Sequence, residues 1–214
     1  MINQNNSLPK FLVNRYRNWK ANEYLKNINL FKKLSLEGQN PKAMIISCCD
    51  SRVHANSIFG AKEGDFFIHR NIANLIPPFT PNGDYHGTSA AIEYGIRELK
   101  VPHMIVLGHT GCGGVKSAHK FHTDKKINDY VFINKWLGIM SPAFNKIPKN
   151  KSVKNQIQIL EEESVKVSIN NLFDFPYIKE KLKNNELSIH GLIHNIGSGE
   201  LKHLNFLTNK FEII

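Results

Sequence analysis

The chain has only three cysteines among its 214 residues, Cys48, Cys49 and Cys112, an odd and sparse set that does not make a disulfide framework. It also lacks a long apolar run at its start. Met1 to Lys20 mixes Asn and Gln with Arg and Lys, so neither a secretory signal nor a membrane anchor is read there, and a cytoplasmic protein is expected. A dense basic block is missing as well. The 28 Lys and Arg outnumber the 18 Asp and Glu, for a formal charge of +10, but they are spread from Lys10 to Lys210. That spread argues against nucleic-acid binding and for a solvated surface, with a modest attraction for small anions. The richest lysine stretch, Lys146 to Lys154, includes Pro148 and Asn150 and reads as a connecting loop. No internal repeat, heptad run or low-complexity segment stands out.

What is present suits one domain. Hydrophobic residues make up 41% of the chain, enough at this length to bury a core and a site within it. The domain divides into a helical arm, 1–40, and an α/β core, 41–214. In the arm, Leu25, Ile28, Phe31 and Leu34 recur as one helix face over Tyr24 to Leu36, and Gly38 follows as a stop. In the core, Ala43 to Cys48 follows Pro41 and Met104 to Leu107 follows Pro102 as short apolar runs, the pattern of buried parallel strands. Between them lie a strand at Phe66-Phe67-Ile68 and a helix from Thr88 to Leu99. A helix over Ile157 to Leu172 is broken at Asp174-Phe175-Pro176, and a shorter one follows over Ile178 to Lys183. Leu187 to Ile193 and Leu201 to Phe206, separated by Gly197-Ser198-Gly199, read as a hairpin-like ending that adds antiparallel edges. The fold class expected is therefore α/β: a mainly parallel central sheet, flanking helices, a helical amino-terminal arm and an antiparallel carboxyl-terminal edge.

The chemistry concentrates where the two apolar strands end. Cys48, His109 and Cys112 offer two thiolates and an imidazole, and three protein ligands leave tetrahedral zinc a fourth position for water or substrate. Buried small hydrophobes are the ordinary fate of isolated cysteines, but here two of them join a histidine at strand ends, where open α/β sheets collect ligands. Strand alternation sets Cys48 and Asp50 toward one face, so Cys49 is expected to point into packing. His109 and Cys112 bracket Thr110-Gly111, and Gly113-Gly114 follow. This turn is flexible enough to aim both side chains at one centre and admits a small substrate at Gly113, although by itself it could be a plain strand-to-helix link. Asp50 and Arg52 suggest a carboxylate held ionised and directed by a guanidinium, which is either a surface ion pair or a partner for zinc-bound water.

The combined pattern resembles a β-class carbonic anhydrase. The resemblance rests on Gly38 to Lys42, Ile46 to Val53, Gly64 to Asn74 and Gly108 to Gly114, in the family's usual order, with later segments at Glu163 to Pro176 and Ile189-His190-Gly191. It implies one zinc per chain on Cys48, His109 and Cys112, with Asp50 and Arg52 catalytic. The reaction implied is reversible hydration of carbon dioxide to bicarbonate and a proton by zinc-bound hydroxide. It further implies that Gln39 hydrogen-bonds substrate across a subunit boundary, in a homodimer or dimer of dimers whose arms embrace the neighbouring subunit. Similar relatives use the same site to hydrolyse carbonyl sulfide or carbon disulfide. Some members of the family let the motif aspartate occupy zinc, and those carry Trp and Tyr where this chain has Ile45 and His194. The two departures imply an open site, with Asp50 kept on Arg52.

Overall fold

The computed structural model describes residues 7–82, 86–124 and 130–214. Two helices precede the sheet, α1 (Lys10–Trp19) and α2 (Ile28–Glu37), joined by a π-helical turn over Lys20–Tyr24. The expected helix over Tyr24 to Leu36 therefore begins later. The Leu25 N–H reaches back to the Lys20 carbonyl, and Asn27 leaves helical geometry at φ −109°. Gly38 ends α2 with φ 78°, a backbone angle that a side chain disfavours. Trp19, Tyr24 and Phe31 pack their rings together at centroid distances of 5.1 to 5.8 Å. Neither helix buries a residue. The chain divides into Met1–Gln39 and Asn40–Ile214 as compact units, and the rest of the fold belongs to the second.

That unit begins with β1 (Ala43–Cys48), buried at every position as a strand covered on both faces must be. There follow α3 (Ala55–Phe59), β2 (Phe66–Asn71), α4 (Gly87–Glu93), β3 (His103–His109) and α5 (Gly113–Asp124). α4 runs on through a π-helical turn, Tyr94–Glu98, over the span read as one helix. Next come α6 (Ile133–Leu137), α7 (Ser141–Phe144), α8 (Val153–Leu172) and α9 (Pro176–Lys183). The lysine-rich loop ends at Ser152, whose hydroxyl caps α8 by accepting the Asn155 N–H at 3.3 Å, so Lys154 lies inside the helix.

The last strands are β4 (Ser188–His194), β5 (Leu201–Asn205) and β6 (Lys210–Ile213), and the sheet order is β2-β1-β3-β4-β5-β6. β2, β1, β3 and β4 are mutually parallel, whereas β5 and β6 run antiparallel. β4 is thus part of the parallel core as well as one side of the closing hairpin. β6 went unread in the sequence because it has four residues and only Phe211 is partly buried, too little for a period-two signal.

One apolar layer lies between the sheet and its helices. Met44, Ile46, Met104, Val106, Ile189 and Ile193 meet Ile92, Ile96, Val165, Ile169 and Ile178 there. A Cβ on Gly108 would come within 2.7 Å of Val165 Cγ2, and one on Gly191 within 2.7 Å of Ile169 Cδ1. Both glycines let α8 approach β3 and β4 more closely than any side chain would allow. The opposite face carries Ile45, Leu107 and Leu192 under Val53 and Ala55.

Candidate metal centre

β1 and β3 are adjacent and parallel, with Ser47 opposite Leu107, so their last residues, Cys48 and His109, end side by side. The turn after β3, with Gly111 at φ 69°, brings Cys112 back beneath them. The Sγ atoms of Cys48 and Cys112 are 3.9 Å apart, and these two and one His109 ring nitrogen lie within 4.8 Å of one another. All three residues are buried. Two thiolates on one tetrahedral zinc, each at ~2.3 Å, stand about 3.8 Å apart, so the sulfurs already have the spacing that zinc requires.

His109 is prepared to ligate. With its Nδ1–H donating to the Thr110 carbonyl at 3.1 Å, Nε2 is left as a bare lone pair, and that atom is buried with no hydrogen-bond partner. The two sulfurs stand within hydrogen-bonding distance of each other. The hydrogen bond from Cys112 holds the Cys48 thiol well below its ordinary range, and giving that bond, together with burial, pushes Cys112 up. A divalent cation bound between them would displace the thiol protons and hold both sulfurs as thiolates. Two soft sulfurs and one imidazole, with no fourth donor in the cluster among the described residues, fit zinc with one position free.

Asp50 stands at the rim. Arg52 grips it as a fork, Nε donating to Oδ1 at 2.9 Å and Nη2 to Oδ2 at 2.7 Å, while the Arg52 backbone N–H adds 3.0 Å to Oδ1. The guanidinium first, and that N–H second, hold the carboxyl far below the usual carboxylate range. Oδ2 remains 4.0 Å from His109 Nε2. Arg52 Nη2 also donates to the Gly111 carbonyl at 3.1 Å, tying the two ligand-bearing loops together.

Sequence reasoning missed two supports. Arg70, on β2, donates to the carbonyls of Cys48, Asp50 and Val53 at 2.8 to 2.9 Å and sets the path of the whole Cys48–Val53 segment. Its signal was its place in the Gly64 to Asn74 segment, two residues beyond the Phe66-Phe67-Ile68 strand. Glu161, on α8, is 4% exposed and accepts the Cys112 N–H at 3.1 Å, and burial raises its pKa. Nothing in its stretch of three glutamates distinguished it.

Other expected residues fall as follows. Cys49 is exposed rather than packed. Ladder pairing ends at Cys48 opposite Asn71, and the chain then turns out, with the Cys49 N–H on the Asn71 carbonyl at 2.8 Å. Cys49 lines a cavity of about 920 Å³ with His69, Asn71, Ile72 and Trp136. Gly113 starts α5 with open space where a Cβ would be. Gln39 is exposed and is the last residue of the first unit. Ile45 is wholly buried in the sheet, and the His194 carbonyl accepts the Thr110 N–H at 3.0 Å.

A mainly parallel sheet with a Cys-His-Cys set beyond its strand ends and a forked carboxylate beside it suits the α/β class of enzymes and could hold a metal ion. The carbonic anhydrase family profile matches residues 43–201. Beta carbonic anhydrase 3 of Arabidopsis thaliana is 35% identical over 198 residues, covering 90% of this chain and 76% of its own length. A carbonic anhydrase of Helicobacter pylori is 31% identical over 200 residues, covering 92% and 90%. Among solved structures, the β-carbonic anhydrase CcaA superposes with a TM-score of 0.88 at 27% identity, covering 96% of this chain and 91% of that one. One from Sordaria macrospora, described as tetrameric, gives 0.77 at 29% identity, with 92% and 96% covered. The chain belongs to the β-class carbonic anhydrase family, lyases whose reaction is the hydration of carbon dioxide.

Proposed function

We propose that this protein hydrates carbon dioxide reversibly to bicarbonate and a proton, with one zinc ion per chain held by Cys48, His109 and Cys112. The observation that carries this reading is the buried Cys-His-Cys cluster, preset at ligand spacing, with the Asp50–Arg52 fork 4.0 Å from its imidazole. Bound zinc supplies a Lewis acid that makes water a nucleophile near neutral pH. The chain supplies the rest. Asp50, ionised and aimed by Arg52, accepts a hydrogen bond from the reacting water and orients its lone pair toward carbon dioxide. Arg52 keeps Asp50 off the metal, which makes the open arrangement the resting one, and the buried Ile45 and partly buried His194 in place of Trp and Tyr agree with it. Gly113, with no side chain at the mouth of α5, leaves room for substrate, and Gln39 provides a hydrogen bond to it from a neighbouring subunit.

The arm supports the assembly this requires. Phe11, Leu12, Tyr16, Trp19 and Leu25 are all exposed in the single chain, an apolar surface suited to a second copy in a homodimer or dimer of dimers. No helix among the described residues is long and apolar enough to cross a membrane. The three free cysteines suit a reducing compartment, which supports a cytoplasmic setting. Zinc analysis combined with stopped-flow carbon dioxide hydration tests the proposal: about one zinc per chain and metal-dependent turnover are expected. Full zinc occupancy without hydration would refute it.

A further inference from the structure

Three histidines share one face of the sheet, His103 and His190 in the amino-terminal halves of β3 and β4 and His203 on β5 beside Leu192. Ile105 pairs with His190, so His103, two residues before Ile105 on β3, lies on the same side as His190 on β4. Leu192 pairs with His203, which brings β5 into the same row. His190 Nε2 and His103 Nδ1 are 3.3 Å apart, with ring centroids at 5.4 Å, and the His190 and His203 rings are 5.7 Å apart. His203 Nε2 is buried with no hydrogen-bond partner. His103 begins β3 and His109 ends it, about 20 Å of strand apart, while His190 lies level with Ile105 and His203 level with Leu192.

We propose that His103 and His190 form a second transition-metal site, selective for zinc-class divalent ions, with His203 joining as a third ligand by a change of side-chain rotamer. Two imidazoles on one tetrahedral ion, each at ~2.05 Å, place their nitrogens about 3.3 Å apart, the spacing found here. Imidazoles without thiolates suit zinc, nickel and copper and do not suit calcium or magnesium. Burial first, and then the rings of His103 and His203, hold His190 below the ordinary imidazole range, which keeps it in the neutral form that ligates. The ion would join β3 to β4, and through His203 to β5, where the sheet changes from parallel to antiparallel.

The rival account is a plain N–H···N hydrogen bond between two rings, and metal counting separates the two. Zinc-loaded protein is equilibrated by dialysis against micromolar free zinc at slightly alkaline pH, and bound metal is measured by mass spectrometry. Wild type is expected to hold one zinc more than the Cys-His-Cys site takes. His103→Ala and His190→Ala are each expected to weaken that additional zinc at least about tenfold, ~1.4 kcal/mol, while keeping the other zinc and wild-type hydration. Cys48→Ser should retain the additional ion, so the site stands or falls independently of the catalytic reading. Should His190→Ala fail to fold, His103→Ala, at an exposed strand end, and His190→Gln keep the test open. No additional zinc in wild type, or additional zinc that persists in His103→Ala, would overturn the proposal.

Discussion

The arm and the core use their apolar residues in opposite ways. In α1 and α2 no residue is buried, and Phe11, Leu12, Tyr16 and Trp19 stay open to solvent, whereas β1 hides every side chain it has. The core satisfies its own hydrophobic surface and can hold ligand atoms at fixed spacing, while the arm leaves surface for another molecule to cover. Lesions in the core should therefore change chemistry or folding within one chain, and lesions in the arm should change assembly.

The largest effect is expected at the ligands. Cys48→Ser and Cys112→Ser should each lose most of the zinc and with it hydration, while Cys49→Ser, at an exposed residue outside the cluster, should keep both. Zinc analysis of the three variants checks this, and a Cys49→Ser protein stripped of metal would reverse the assignment. Next comes the fork. Asp50→Asn should keep zinc but lower turnover at least about tenfold, and Arg52→Ala should do likewise by freeing Asp50.

The same pair sharpens the comparison through pH. Because the folded-state pKa of Asp50 is depressed, the carboxylate stays ionised above the ordinary carboxylate range and is lost only as pH falls well below it. The fall in activity between alkaline and mildly acidic pH should thus belong to the metal-activated water. Its midpoint should stay in place in Asp50→Asn while the amplitude drops; a shifted midpoint would assign that titration to Asp50.

Smaller changes distinguish packing from assembly. Gly108→Ala and Gly191→Ala should each destabilise the chain by about 1–3 kcal/mol, read as a lower thermal midpoint, because the added methyl drives Val165 or Ile169 off α8's close seat on the sheet. Trp19→Ala in the arm should weaken self-association by about 2 kcal/mol, visible by analytical ultracentrifugation, with zinc content unchanged. An arm variant that loses zinc without dissociating would erase the distinction between the two regions.

Much of this was legible in the sequence where the signal is local. Ala43 to Cys48 reads as a strand because six consecutive small or apolar residues follow a proline, and the Cys-His-Cys set follows from residue type at two such strand ends. Asp50 and Arg52 were legible because a fork between residues two apart is a local bond. The supports of the site were not. Glu161 reaches Cys112 from 49 residues away and Arg70 reaches Cys48 from 22, contacts that only the tertiary fold creates. Cys49 was misplaced because strand alternation was carried one residue beyond the ladder, where pairing with Asn71 stops. β4 was read as half of a hairpin because the period of a strand does not say which neighbour lies on its other edge.

The sheet order has a consequence for synthesis on the ribosome. Once residue 112 has emerged, all three sulfur and nitrogen donors exist, yet β3 still has one bare edge, since its partner β4 spans Ser188–His194. The carboxylate that fixes Cys112 arrives only with residue 161. A nascent chain thus carries a complete set of donors well before it has the framework that holds them in place. At that stage two thiols and an imidazole are present in a chain that still lacks β4 and Glu161. The interval between ligand synthesis and framework closure is written into the strand order, and it sets the earliest point in translation at which the finished centre can exist.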